Sequence, residues 1–290
     1  RMNVYEVRSP DRDAARGIWD QIRTIRDGDL GEFELERAKR IQESHWLRRL
    51  EDMEGQANYL AEWEALGDWR MGGRYLERML TMTRADVIEA AVRHLGPDNA
   101  SVVVYRPTTS GQVVASRDEM RALLEREPRP EALAAPAPYR ARALGAAARP
   151  EFVREEAGVR VYRSPFGVPI LVRRKPGAPL VHFGVYGAGG SCDEAPSLGG
   201  LTTLTVRSAL KKTSTRSALQ IAEEGEMLGG SVTGLAAPES FGWTISVPAR
   251  HASSAVELLS DVVQRPTFDE DVLETERAIA IADVVAARDD

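Results

Sequence analysis

The sequence predicts an α+β protein, organised as a layered mixed β-sheet with helices packed on it. Short β-branched runs such as Val159–Arg163 and Val181–Tyr186 have the length and composition of strands. Between them, apolar residues recur at helical spacing, as at Ile18, Ile22 and Ile25. Turn chemistry, including Gly96-Pro97-Asp98-Asn99, separates the two kinds of segment.

Composition narrows the function classes. The 290 residues leave room for more than one domain, at roughly 100–200 residues each. A hydrophobic content of 43% with 28% charged residues suits a soluble globular chain. The net charge is −6 and no basic tract stands out, which argues against a nucleic-acid partner. No apolar run approaches the roughly 20 residues of a membrane span. The single cysteine, Cys192, has no internal disulfide partner and is read as a turn residue rather than a reactive thiol. The chain opens with Arg1-Met2-Asn3 inside a predicted strand and ends at Asp290 directly after a predicted helix, so it is read as an internal fragment. No leader is visible, and the compartment is left open between bacterial periplasm and cytoplasm.

The elements follow in order. Met2–Arg8 reads as a strand. A helix capped at Ser9 or Asp11, with Pro10 in its first turn, runs to about Arg26. One long helix is expected from Glu32 to Leu66, stopped by Gly67. Thr83 and Asp86 form a capping-box pattern for a helix over Arg84–His94, and Ala100–Tyr105 closes the segment as a strand. Residues 1–106 thus read as β-α-α-α-β, two strands under a helical layer, which is part of a domain rather than a whole one. His45 and His94 have no helical partner of metal-ligand spacing and are read as surface residues. Trp63 and Trp69 are read as packing residues.

Residues 107–150 change character. Pro107, Pro128, Pro130, Pro136, Pro138 and Pro150 punctuate an Ala- and Arg-rich stretch with one short helix at Arg117–Glu127, the pattern of a linker.

Residues 151–290 resume the alternation. Val159–Arg163 and Val168–Val172 form a hairpin about Pro165-Phe166-Gly167, and Val181–Tyr186 is a third strand. The stretch Gly199–Thr213 is a helix with Leu201, Leu204, Ala209 and Leu210 sharing a face. After a cap region at Thr213-Ser214-Thr215 come a helix at Ala218–Leu228, a glycine-rich run at Gly229–Gly234 and a strand at Phe241–Val247. A helix at His251–Gln264 presents Val256, Leu259 and Val263, and a last helix spans Glu270–Arg288. The cluster Gly187-Ala188-Gly189-Gly190-Ser191 lacks both the Lys-Ser/Thr ending of a phosphate loop and dinucleotide-fold spacing, so nucleotide binding is set aside.

Several spaced phrases resemble the pitrilysin/insulinase-type metallopeptidases, the group that includes mitochondrial processing peptidases. They are Phe166-Gly167-Val168, the turn Ala188–Glu194 with one extra glycine, Gly200-Leu201, Leu228-Gly229-Gly230-Ser231, and Arg265-Pro266-Thr267-Phe268-Asp269 running on to Leu273-Glu274-Thr275-Glu276-Arg277. The phrase Glu34–Lys39 belongs with them. The resemblance implies repeated α/β domains that close around an extended peptide. Residues 1–106 would be the closing part of one such domain, 107–150 the linker between halves, and 151–290 the first part of the next.

It also implies a zinc site of His-x-x-Glu-His on the Gly199–Thr213 helix with a carboxylate on the last helix. In the register set by Gly200-Leu201, the first ligand falls on Thr203, the base on Val206 and the second ligand on Arg207; the third-ligand position, on the last helix, falls on Asp283, with Glu276 upstream of it. None of the first three fits: valine moves no proton, and arginine is always cationic. No catalytic and no metal-binding residue is therefore assigned here. Asp283 is expected to pair with Arg207 instead. On this reading no cofactor belongs to the fragment, and zinc is expected in the full-length protein or a partner. The chain would close a peptide chamber, with Gly230, Ser231, Val232, Thr233 and Gly234 as peptide-binding residues by strand addition. Its partners would be the substrate peptide and the rest of its own domains or a homologous catalytic subunit. The alternatives are a structural assembly subunit, similar to respiratory-complex core proteins, and a peptide-binding module without catalysis.

Overall fold

The computed structural model describes residues 2–6, 11–104, 114, 116–125, 149–175, 177 and 179–286. The candidate cap Ser9, the first-turn Pro10, the strand end at Tyr105, most of the linker prolines and the last turn at Arg288 lie outside these residues. The chain is α+β, and it divides into two compact units: Arg1–Lys39 with Arg70–Ala135, and Arg40–Trp69 with Pro136–Asp290.

In the first unit, β1 (Met2–Glu6) pairs in parallel with β2 (Ala100–Val104), from Met2 opposite Ala100 to Glu6 opposite Val104. A parallel pair needs a long crossover, which is why so much helical chain separates the two strands. Helix α1 (Asp11–Arg26) supplies the core residues Ala15 and Trp19, and the Arg26 guanidinium lies 5.9 Å from the Trp19 ring.

The expected continuous helix over residues 32–66 is instead α2 (Glu32–Arg49) and α3 (Met53–Ala65). The break has a local cause. Asp52 adopts an extended conformation and its carboxylate accepts from the Gly55 amide at 2.6 Å, starting a new helix. Gly55 then lies so close to the end of α2 that a Cβ there would come within 1.8 Å of the Arg49 carbonyl. Gly67, at φ +128°, ends α3 as predicted. Helix α4 (Met71–Thr81), hidden in the sequence by Gly72 and Gly73 in its first turn, was not expected. Helix α5 (Arg84–His94) begins with the predicted capping box between Thr83 and Asp86. Ala91 of α5 and Leu124 of α6 (Arg117–Glu125) are buried in this unit.

The second unit carries two antiparallel sheets. In one, β3 (Glu151–Glu156), β4 (Val159–Arg163) and β5 (Pro169–Arg173) form a meander. β3 was missed because its sequence, EFVREE, is mostly charged; a tight turn with Ala157 and Gly158 both at positive φ joins it to β4. In the other sheet, β6 (Leu180–Ala188) and β7 (Val232–Ala236) flank β8 (Ser240–Pro248). The glycine-rich run is therefore itself followed by a strand that hairpins into β8.

Alternation along β8 turns Trp243, Ile245 and Val247 into the core. They meet α7 (Leu201–Ala209), α8 (Ala218–Met227) and α9 (Ala252–Gln264) through Val206, Ala209, Ile221, Ala255, Leu258, Leu259 and Val262. The buried face of α9 is thus rotated from the expected Val256/Leu259/Val263 stripe. The fully buried Ala255 is small enough to bring the helix onto the sheet, and Val256 turns outward. The cap of α8 is Ser217, with Gln220 completing a capping box, rather than the expected Thr213-Ser214-Thr215. Helix α10 (Glu270–Ala286) packs on α7.

Residues of α2 dock onto the turn between α8 and β7. Arg40 donates to the Met227 carbonyl at 2.8 Å, and Arg48 donates to both the Gly229 and Ser246 carbonyls at 2.8 Å. Gly229 is needed for this approach, because its φ is +79° and a Cβ would fall 2.1 Å from the Ser44 hydroxyl.

Candidate functional site: the α7–α10 helix pair

Helix α7 is held at three points. At its start, Gly200 adopts a left-handed conformation (φ +95°), and Glu194 reaches back to the exposed amides. One Glu194 oxygen accepts from the Gly200 amide and the other from the Thr202 amide, both at 2.6 Å. Hydrogen bonding from Thr202, and then from Gly200, holds this carboxyl below the usual glutamate range. At its middle, the Trp243 indole of β8 donates to the Val206 carbonyl at 3.1 Å. Underneath, Gly234 of β7 lets the helix rest on the strand, since a Cβ there would meet Val206 Cγ1 at 2.3 Å.

The turn before Glu194 explains the extra glycine of that phrase. Gly189 has φ +113°, and a Cβ on Gly190 would come within 2.2 Å of the Ala237 carbonyl. Both positions exclude a side chain, one through conformation and one through contact.

The residues placed at the ligand and base positions lie as follows. Thr203 is half-buried on α7. Val206 is buried in the hydrophobic core. Arg207 points toward α10, where its Nε donates to Glu276 Oε2 at 2.9 Å and its Nη1 to Asp283 Oδ2 at 2.8 Å. The pairing of Arg207 with Asp283 expected from register is present. Sequence reasoning noted Glu276 without giving it a partner and passed over Lys211, whose Nζ lies 3.1 Å from Glu276 Oε1. The signal was available, because Lys211 is one helical turn beyond Arg207. The hydrogen bond to Asp283, which outweighs desolvation, and the further bond to Glu276 raise the Arg207 pKa.

These residues do not fit a zinc ion. One hydroxyl, one aliphatic side chain and one fixed cation stand where donors would be needed. Among the described residues, no group of three or more His, Cys, Asp and Glu side chains converges to hold a metal.

The proposed peptide segment divides. Gly230 lies before β7 and packs closely, with a Cβ there falling 2.2 Å from the Ser246 carbonyl. Ser231 links it to the strand. Val232, Thr233 and Gly234 belong to β7, and the Thr233 hydroxyl lies 2.9 Å from that of Thr244 on β8. Among the described residues, β7 pairs only with β8, so its outer edge carries no strand. No helix among the described residues is long and apolar enough to cross a membrane.

Part of the chain matches known proteins. Residues 169–290 match the model of the insulinase family, peptidase family M16. The uncharacterized zinc protease YmxG of Bacillus subtilis is 30% identical over 126 residues, covering 43% of this chain and 31% of that protein. The probable mitochondrial-processing peptidase subunit alpha-2 of Arabidopsis thaliana is 35% identical over 104 residues, covering 36% of this chain and 21% of its own length. The mitochondrial-processing peptidase subunit alpha of Solanum tuberosum is 38% identical over 90 residues, covering 31% and 18%. The chain thus spans less than a third of the length of these relatives. Over residues 169–290 the chain is thus similar to the pitrilysin/insulinase-type peptidases.

Proposed function

We propose that this chain is a non-catalytic portion of a pitrilysin/insulinase-type zinc peptidase. It closes the peptide-binding chamber, while a His-x-x-Glu-His site elsewhere in the longer chain or in a partner subunit hydrolyses the peptide. Residues 1–106 would end one domain, 107–150 link the halves, and 151–290 begin the next. The observation that carries the reading is the state of α7: the base position, Val206, is core, and the second ligand position, Arg207, is tied to α10. Relatives of both kinds occur. One is a zinc protease, and two are subunits of a processing peptidase.

The chain's own contribution is to hold an extended peptide. The open edge of β7 supports recognition by strand addition, in which backbone hydrogen bonds give affinity with little sequence preference. An unstructured peptide, read by fluorescence anisotropy, is expected to bind the 290-residue chain without being cleaved. The same peptide with alternate backbone nitrogens methylated should bind about tenfold more weakly, as expected when two or more backbone hydrogen bonds are lost. Equal affinity for the two peptides would rule out strand addition, and cleavage blocked by a chelator would rule out the non-catalytic assignment.

A further inference from the structure

Arg207 and Lys211 each take one oxygen of Glu276, at 2.9 and 3.1 Å, and the second arm of Arg207 takes Asp283 at 2.8 Å. Two side-chain cations of the α7 segment therefore face two carboxylates of α10, and the cluster is neutral. A divalent metal held by the same carboxylates would bring the same charge. We infer that Arg207 and Lys211 together are the resident cation of this helix pair, fastening α7 to α10 without an ion and closing the locus to divalent metals.

Three features support the inference. Glu276 is buried, and a buried carboxylate is strongly destabilising unless a counter-charge and hydrogen bonds accompany it. The guanidinium cannot be discharged at any working pH, so it does not yield its place as a neutral histidine would. The other two positions of the family register on α7, Thr203 and the core residue Val206, offer one neutral oxygen and no donor at all. The inference stands on the α7–α10 geometry and is independent of the peptide-binding reading.

The test compares melting curves of the whole chain in chelator and in zinc chloride. The wild-type melting temperature should be the same in both. Arg207→Met, which keeps the length and removes the charge, should melt roughly 5 °C lower in both media. Arg207→Lys, which keeps the charge but loses the fork, should fall between them. Thr203→His/Arg207→His, combined with Lys211→Ala, places two imidazoles one turn apart on α7 and takes both cations off Glu276. That variant should gain stoichiometric zinc binding by calorimetry and a zinc-dependent rise in melting temperature. The inference fails if zinc stabilises the wild type and Glu276→Gln abolishes that effect. It fails equally if Arg207→Met melts with the wild type, or if the folded double-histidine variant takes up no zinc. Should the double-histidine variant not fold, the lysine and methionine variants decide: equal melting of those two would show that the charge is not what matters.

Discussion

The second unit contains two arginine–carboxylate clusters that look alike on paper and differ in depth. At the α7–α10 pair, Arg207 is 32% exposed and bridges Glu276, 4% exposed, to Asp283, 64% exposed. Some 10 residues further along, Arg216 is 2% exposed and pairs with Asp261, 3% exposed, at 2.8 Å, while its Nε binds Glu224 at 3.0 Å. Asp261 Oδ2 also accepts from the hydroxyls of Thr213 at 2.7 Å and Thr215 at 2.8 Å. The first cluster includes the two positions, Arg207 and Asp283, that the family resemblance reads as metal-ligand positions; the second stands at the junction of the loop after α7 with α8 and α9. Burial sets the energetic weight of each, because solvent screens the outer pair and leaves the inner one at nearly full strength. The cluster with the greater functional interest is thus the one the fold depends on less.

The sharpest way to break this comparison is to remove each arginine. Arg216→Ala leaves Asp261 and Glu224 without their central cation and should destabilise by about 3–4 kcal/mol, read by urea denaturation. Arg207→Met should cost about 1–2 kcal/mol, because Lys211 still faces Glu276 and Asp283 returns to water. Equal losses would show that depth does not separate the two clusters.

A pH titration of stability examines the inner cluster without a substitution. Burial alone would push the Asp261 carboxyl up, but hydrogen bonds from Thr213, Arg216 and Thr215 outweigh it and hold the group below its usual 3.8. A depressed folded pKa contributes stability above the unfolded value and loses it as pH falls through the folded one, so the loss from Asp261 begins below about pH 4. Glu224 has the opposite sign. Burial raises it above 4.5 despite Arg216, so its ionised form is a cost that protonation relieves as pH falls toward 4.5. The wild type should therefore gain a little stability as pH falls from 6 toward about 4.5 and lose it below about pH 4. Asp261→Asn, less stable throughout, should show a shallower acid limb; an unchanged limb would mean that Asp261 does not carry this dependence.

How far the sequence was legible follows the same division. The resemblance, in the α7 register fixed by Gly200-Leu201, led to Thr203, Val206 and Arg207, and on the last helix to Asp283; the Arg207–Asp283 pair is there. Local signals such as the Thr83–Asp86 box were equally readable, since both partners sit in one turn. The Arg216–Asp261 pair was not readable, because the residues are 45 apart and no periodicity links them. Nor were the Arg48 bonds to Gly229 and Ser246, whose acceptors are backbone carbonyls that every residue possesses. The break between α2 and α3 was missed because the charged residues around it are good helix formers, and only the capping geometry of Asp52 decides the matter. The glycines of the 187–190 turn were visible as a cluster, but which of them a side chain would obstruct is a property of the folded neighbours.

Glu194 gives the smallest expected effect and separates position from depth most cleanly. It is only half-buried, and both its oxygens are committed to the first amides of α7, where the helix dipole also favours negative charge. Its lowered pKa means that whatever stability it contributes is present above about pH 4.5 and fades as pH falls through the folded value. Glu194→Gln keeps one acceptor and removes the charge, so it should lower the melting temperature only slightly at pH 7 and by less still as pH falls through the folded pKa of Glu194. Hydrogen exchange should locate the change in the amides of Gly200 and Thr202, leaving Arg207 and its partners on α10 unaffected. If exchange instead quickens along the whole of α7, the N-terminal cap governs the helix as a unit. The Arg207 cluster would then owe its geometry to Glu194 rather than to the carboxylates of α10.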